Sequence, residues 1–267
     1  MTVKSVQRVL ELFELLDETR RAVTLKEVME RFCYPASSAS YLLKSMVSLG
    51  YFTYDRKTKQ YMPTMRMSAK VSWIEGALFG SGSILRAMQR LHDVCGETVS
   101  LGTQSDEYAQ YIHQIPTSLP LPYPRIRQTI RPITRSGLGW LLLSALDGAE
   151  IDLLIRRIDY REPNYQDRVS RPNLFEELDK IRRDGFVFSR HTVVHGAGYL
   201  GMLLPSRSTS PRRLALGVNG PVDRLEAKKE VILSTLKVVI DAVDVLDGQT
   251  ESSDRAAPAQ LQCRLIP

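Results

Sequence analysis

Between Glu30 and Asp55 the chain carries no aspartate or glutamate, and most of that gap is the stretch YPASSASYLLKSMVSLGYF, residues 34–52. Ala39, Leu42, Leu43, Met46 and Val47 recur at helical spacing and mark one apolar stripe. The opposite side offers Ser37, Ser40, Tyr41, Lys44 and Ser48, which are hydroxyls and a single cation. Surface helices ordinarily mix Glu with Lys, because opposite charges one turn apart support each other, and serine is only a middling helix former. A helix that forgoes both supports is shaped for a contact outside itself, and a face without carboxylates suits a polyanion.

The flanking segments narrow the choice of fold. YFTYDRKTKQYMP reads as two short strands, Tyr51–Tyr54 and Gln60–Pro63, joined by Asp55-Arg56-Lys57-Thr58-Lys59. Upstream, Val6, Val9, Leu10, Phe13 and Leu16 predict an amphipathic helix ending near Asp17. Thr24-Leu25-Lys26-Glu27 is a capping box that opens a second, short helix to about Phe32. The break at Cys33-Tyr34-Pro35 introduces the third helix, and Gly50 is its stop signal. Three helices and a basic hairpin within the first 63 residues predict a winged helix-turn-helix. Charge agrees: residues 1–70 hold 12 Lys+Arg against 7 Asp+Glu, whereas the remainder holds 24 against 23. The excess of +6 thus gathers in the first quarter, as in a polyanion-binding module joined to a near-neutral domain.

Beyond the hairpin, Thr64 to Gly80 predicts a helical connector, broken at Gly80-Ser81-Gly82. A helix from Ser83 to Gly96, strands at ETVSLGT and YAQYIHQI, and a loop over 116–132 with five prolines and three arginines follow. Helices are expected at 137–146, 148–158 and 174–184, then strands at FVFSRHTV, YLGMLLP and RLALGVNG, and a closing helix at 225–246. Mixed helices around a mostly antiparallel sheet make an α+β protein. The expected organisation is a DNA-binding domain at 1–64, a linker at 65–82, a second domain at 83–247 and a disordered Ser/Gln/Ala-rich tail at 248–267. No apolar run approaches the ~20 residues of a membrane span. The amphipathic amino terminus lacks the unbroken apolar stretch of a secretory leader, so a cytoplasmic protein is expected. Cys33, Cys95 and Cys263 are odd in number and far apart, which fits buried reduced thiols rather than a disulfide framework or metal site.

Taken in order, SVQRVLELFELL, TLKEVMERF, YPASSASYLLKSMVSLGYF, GETVSLGT, LDKIRRDGFVF and ALGVNGPVDRL resemble an IclR-family transcriptional regulator from about Val3 to Val245. The resemblance implies a winged helix-turn-helix, a GAF-like effector-binding domain, a homodimer or homotetramer, a palindromic double-stranded DNA operator and no cofactor. It also implies repression of a catabolic operon under the control of a small organic acid. Carried over by position, Ser37 and Ser38 fit the family's small-hydroxyl pair at the start of the recognition helix. Ser40, Tyr41, Lys44 and Ser45 fall on turns facing groove or backbone, with Arg56, Lys57 and Lys59 as wing contacts. The family usually has Arg where this chain has Tyr41; a guanidinium reads guanine with two hydrogen bonds and a phenol does not, so a different operator preference is expected.

The effector-domain residues depart further. PITRSGLGWLLLS places Thr134, Ser136, Gly137, Gly139 and Trp140 where the family often carries a His and a Gly-Lys pair. Tyr199 stands where a Cys is common, Gly217 and Asn219 where serines alternate, and Arg190 at an acidic position. Two readings stay open. Either the pocket takes a different effector, such as an aromatic acid held by Arg190 or Arg135 and stacked on Trp140 or Tyr199, with amides at the start of helix 137–146 binding its carboxylate. Or bulky side chains have filled the cavity and the domain only oligomerises. Gly196-Ala197-Gly198-Tyr199-Leu200-Gly201 matches a dinucleotide fingerprint but leads into a strand-like run, not a helix. His191 and His195 lack a glutamate and a third ligand for zinc. No catalytic constellation is visible, so an enzyme is not expected. Alternatives are a small-molecule-binding or enzymatic domain whose winged helix makes protein contacts, and an effector-blind DNA binder.

Overall fold

The computed structural model describes residues 3–79, 82–123, 129–161, 170–205 and 213–254, with backbone alone at 74–79 and 244–254. It divides into two compact units, Met1–Ala77 and Leu78–Pro267. Arg125, Arg127, Cys263 and the tail beyond 254 lie outside the described residues.

The first unit contains α1 (Lys4–Thr19), β1 (Val23–Thr24), α2 (Leu25–Phe32), α3 (Ala36–Ser48), β2 (Phe52–Asp55), β3 (Gln60–Pro63) and α4 (Arg66–Phe79). Leu12, Leu16, Val28, Ala39, Leu43, Phe52 and Tyr61 form one core; in α1 the buried side is Leu12, Leu15 and Leu16, whereas Val6 and Leu10 of the expected stripe are exposed. At the start of α2 the capping box closes in both directions, the Thr24 hydroxyl accepting from the Glu27 amide and Glu27 accepting from the Thr24 amide. Two details were not expected. The first helix runs on to Thr19, and Val23–Thr24 adds a third strand to the wing, pairing Val23 with Tyr61 in the order β1-β3-β2.

The second unit contains α5 (Ser83–Cys95), β4 (Thr98–Ser105), β5 (Tyr108–Ile115), β6 (Ile130–Pro132), a 3-10 turn at Ile133–Arg135, α6 (Gly137–Leu143), α7 (Gly148–Arg161), α8 (Arg171–Asp184), β7 (Val187–Arg190), β8 (Ala197–Leu203), β9 (Leu214–Pro221), α9 (Val222–Ala227) and α10 (Lys229–Asp254). Its sheet has the order β6-β5-β4-β9-β8-β7, and every pairing is antiparallel. Alternation along the strands sends side chains to two faces. Leu101, Leu200 and Leu216 meet Met88 and Leu91 of α5 and Ile232 and Leu236 of α10. Ala109, Val187, Tyr199 and Ala215 meet Leu138 and Leu142 of α6, Ile155 of α7 and Leu178 of α8.

Several boundaries differ from expectation. The long loop contains β6, the single closing helix is two helices that part at Lys228, and α10 continues past Asp247 to Asp254. Lys228 turns aside because its ammonium donates to the Cys95 carbonyl at 2.7 Å and lies 3.4 Å from the buried Glu97 carboxylate. Glu97 is also bound by Arg224 at 2.6 Å, so the GETV segment is a buried anchor for α9. The glycine-rich fingerprint lies at the β7–β8 turn and within β8 itself, with no helix after it to receive a phosphate.

Candidate nucleic-acid interface and regulatory face

The predicted stripe of α3 is inward, with Ala39, Leu43 and Met46 buried and Leu42 and Val47 half-buried. On the other side Ser37, Tyr41, Lys44 and Ser48 are exposed, Tyr41 at 77%. Spacings of four, three and four residues line these up along one side of the helix. Ser38, Ser40 and Ser45 are half-buried at its margins, and the Ser48 hydroxyl donates back to the Ser45 carbonyl. Pro35 at the amino end supplies no side-chain cap.

Arg56, Lys57 and Lys59 are all exposed in the β2–β3 turn. Asp55, which ends the acid-free stretch, is turned into this loop: its carboxylate accepts from the Lys57 amide at 2.8 Å, and that bond holds its carboxyl below the usual range. The nearest acid is therefore committed to shaping the turn, where it compensates backbone donors. Lys59 has φ of 56°, the left-handed conformation that closes the hairpin.

One residue outside the predicted set helps place α3. Tyr34 lies just before it, stacked on Phe32 at 5.3 Å between ring centroids. Its hydroxyl donates to Glu11 of α1, and the Arg8 guanidinium sits 4.7 Å over its ring. Burial and the Glu11 carboxylate push the Tyr34 phenol up to about 12. The signal available beforehand was an aromatic at the tight break before Pro35; its partner, 23 residues upstream, has no sequence signature.

In the second unit, the residues expected around one pocket divide between two faces of the sheet. Ser136 is buried as the cap of α6, donating to the Pro132 carbonyl at 3.2 Å and accepting from the Gly139 amide at 3.1 Å. The Trp140 amide bonds the Ser136 carbonyl, and its indole nitrogen donates to the Thr134 carbonyl at 2.8 Å. The helix is only Gly137–Leu143, and these internal bonds occupy the Gly139 and Trp140 amides, against their expected use for a carboxylate. Gly137 lets α6 approach Ser189 and Tyr199, and Gly139 lies against the Ile133 backbone. Tyr199 and Asn219 share the face beneath α6: the Tyr111 hydroxyl donates to Asn219 Oδ1 at 3.1 Å, and Asn219 Nδ2 donates to Ser100 Oγ at 2.5 Å. Burial pushes the Tyr111 phenol up to about 12 and drives that of Tyr199 well above its ordinary value.

Arg190 is not with them. It follows Phe188, which packs on the α5–α10 side, stacks on that ring at 3.8 Å and pairs with Glu226 of α9 at 2.9 Å. Strand alternation puts Ser189 on the Tyr199 face and Arg190 on the other. The expected grip of Arg190 on an effector beside Tyr199 is thereby overturned. Arg135 is exposed and Arg131 buried. His191 and His195 stack at 4.9 Å, and His191 Nδ1 accepts from the Gly196 amide, a turn rather than a ligand pair. Among the described residues no group of three His, Cys, Asp or Glu could hold a metal ion, and no helix is long and apolar enough to cross a membrane.

Both units have family counterparts. Residues 5–56 match the IclR helix-turn-helix domain, and residues 82–246 match the C-terminal domain of the bacterial transcriptional regulator IclR. The chain belongs to the IclR family. Among its IclR-type relatives, the HTH-type transcriptional regulator KdgR of Dickeya chrysanthemi is 24% identical over 69% of this chain, which spans 60% of that protein. The transcriptional repressor IclR of Escherichia coli is 23% identical, covering 84% of this chain and 82% of its own length. An IclR homolog from Microbacterium hydrocarbonoxydans, solved in complex with 4-hydroxybenzoate, shares the fold with a TM-score of 0.62 at 17% identity, over 91% of this chain and 98% of that one.

Proposed function

We propose that this IclR-family chain is a sequence-specific DNA-binding repressor that docks α3 in the major groove and lays its wing along the backbone. The observation that carries this reading is the exposed, acid-free stripe of Ser37, Tyr41, Lys44 and Ser48 beside the exposed Arg56, Lys57 and Lys59. Cations and hydroxyls there meet phosphates without repulsion, and counterion release makes the binding salt-dependent. Ser37, Ser38, Ser40 and Ser45 are small enough for close approach, whereas Tyr41 reaches base edges by packing and one hydroxyl. Residues 1–64 would be the DNA-binding domain, 65–82 the linker and 83–247 the regulatory domain, acting in the cytoplasm as a homodimer or homotetramer on a palindrome. Repression is supported by the relation to the Escherichia coli repressor.

For regulation, control by a small organic acid is supported by the Microbacterium relative and its aromatic acid. A second reading, an effector-blind regulator, is favoured by the burial of Tyr199 on the face beneath α6 and by the displacement of Arg190 from it. The test of the DNA reading is selection by the full chain from a random duplex pool. A recovered palindrome bound more weakly as salt rises supports it; a pool that stays random at low ionic strength overturns it.

A further inference from the structure

The carboxyl end of α3 is closed by residues outside the helix. Gly50, in the left-handed conformation at φ 76°, donates its amide to the Val47 carbonyl, and the Tyr51 amide donates to the Met46 carbonyl, each at 2.9 Å. That pair of bonds is the Schellman closure of a helix end. The helix has no basic residue in its own last turn, where a cation would offset the negative end of its dipole.

The start of the linker supplies that cation and further bonds. The Thr64 amide donates to the Tyr51 carbonyl and the Thr64 hydroxyl to the Gly50 carbonyl, both at 2.8 Å. In turn that hydroxyl accepts from the amide of Arg66, in the first turn of α4, at 3.3 Å. The Arg66 guanidinium reaches back over the Tyr51 ring, 5.4 Å from its centroid, within the range of a cation–π contact. A Cβ on Gly50 would come within 3.1 Å of Arg66 Nη1, so the glycine that caps α3 also makes room for the guanidinium. Arg20, Arg21, Lys26 and Arg31 of the same unit each face a carboxylate, whereas Arg66 forms no ion pair among the described residues. Its one printed role is at the joint between α3 and β2. Past that joint residues 68–73 are all exposed, so the side chains that hold α4 to the helices and wing are those of its opening turn.

We propose that Arg66 is a positioning residue which, with Thr64, clamps the linker helix α4 to the end of the recognition helix α3. A turn of α4 then reaches α3 as a rotation of one block, with no bend taken up between residues 50 and 66. The inference rests on the DNA-binding reading above and names what sets the angle of α3 within it.

The experiment has two arms on the full chain. The first needs no DNA. Nitroxides are placed at Ala36→Cys on α3 and Lys70→Cys on α4, in a Cys33→Ser, Cys263→Ser background that leaves the buried Cys95, and the sample is diluted with unlabelled chain. Pulsed electron paramagnetic resonance should give a narrow distance distribution, and a wider one in Arg66→Ala and in Tyr51→Leu, which keeps the guanidinium but removes its platform. Equal widths in all three overturn the clamp. In the second arm Arg66→Ala should lower the ratio of specific to non-specific affinity about fivefold and leave the slope of log affinity against log salt unchanged. An unchanged ratio overturns the proposal. A slope reduced by about one also overturns it, because Arg66 would then be a phosphate contact. Tyr51→Leu reads both arms if Arg66→Ala does not fold. A chain that selects no duplex strikes the DNA-binding reading, and the distance arm then decides the clamp alone.

Discussion

Lys44 is the cation on the outward stripe of α3, exposed and flanked along the helix by Tyr41 and Ser48. A single phosphate contact there contributes roughly 0.9 to the slope of log affinity against log salt. Lys44→Ala should therefore weaken binding to the selected duplex and to unrelated duplexes alike, and lower that slope by about one; filter-binding titrations at several salt concentrations read both, and an unchanged slope removes Lys44 from the phosphate contacts. Tyr41→Arg tests the neighbouring position differently. A guanidinium can bond guanine O6 and N7 together, which discriminates by about 1–3 kcal/mol, so the variant should recover a duplex pool with a new guanine at one position per half-site. Recovery of the same consensus would place Tyr41 off the bases. The Tyr199 hydroxyl is buried and has no hydrogen-bond partner among the described residues; leaving such a group buried without a partner costs about 1–3 kcal/mol. Tyr199→Phe keeps the ring in its bed and deletes the orphan, so the denaturation midpoint should rise; a fall of more than about 1 kcal/mol would mean that the hydroxyl is bonded in solution.

Among elements, α2 depends on its first turn more than on its length. Thr24→Ala removes one half of the capping box and should cost about 1 kcal/mol, read by chemical denaturation. The other half titrates. Glu27 is lowered from 4.5 to about 2, first by the hydrogen bond from Arg21 and then by the Thr24 amide. A carboxyl whose folded value is depressed contributes stability that is complete above its unfolded value and disappears as pH falls through its folded value. The first unit should lose this contribution between about pH 4.5 and 2, and Glu27→Gln should flatten that part of the pH profile of Tm. The same element shows why much of the fold could be read directly: Thr24 and Glu27 act within one turn, and the stripe of α3 needs only its own period. The elements that escaped notice are those defined by distant partners. Two residues at Val23–Thr24 become a strand because β3 lies beside them, and Ile130–Pro132 because β5 does. Lys228 parts α9 from α10 through bonds to Cys95 and Glu97, more than 130 positions away. The candidate DNA contacts were legible because they lie on one helix and one turn. The regulatory residues were not, since alternation in β7 separates Ser189 from Arg190 but does not say which face α6 covers.

At the scale of the whole chain, the two units have separate cores: Leu12, Val28, Leu43 and Phe52 belong to the first, and the sheet with its two helical layers to the second. Cooperative unfolding follows a shared core, and domains with their own cores need not unfold together. The two tryptophans divide usefully for testing this. Trp73, 69% exposed, has little environment to lose, whereas Trp140 is half-buried against the second unit's core with its indole bonded to Thr134. Tryptophan emission should therefore follow the second unit, while far-ultraviolet circular dichroism follows helices of both. In a guanidinium titration at pH 7 the dichroism is expected to fall in two steps, with emission tracking one of them. Thr24→Ala should displace the step that emission does not see, and Tyr199→Phe the step that it does. A single coincident transition displaced by both variants would mean that the chain unfolds as one body, and a change at Tyr199 would then register at α3 through stability alone.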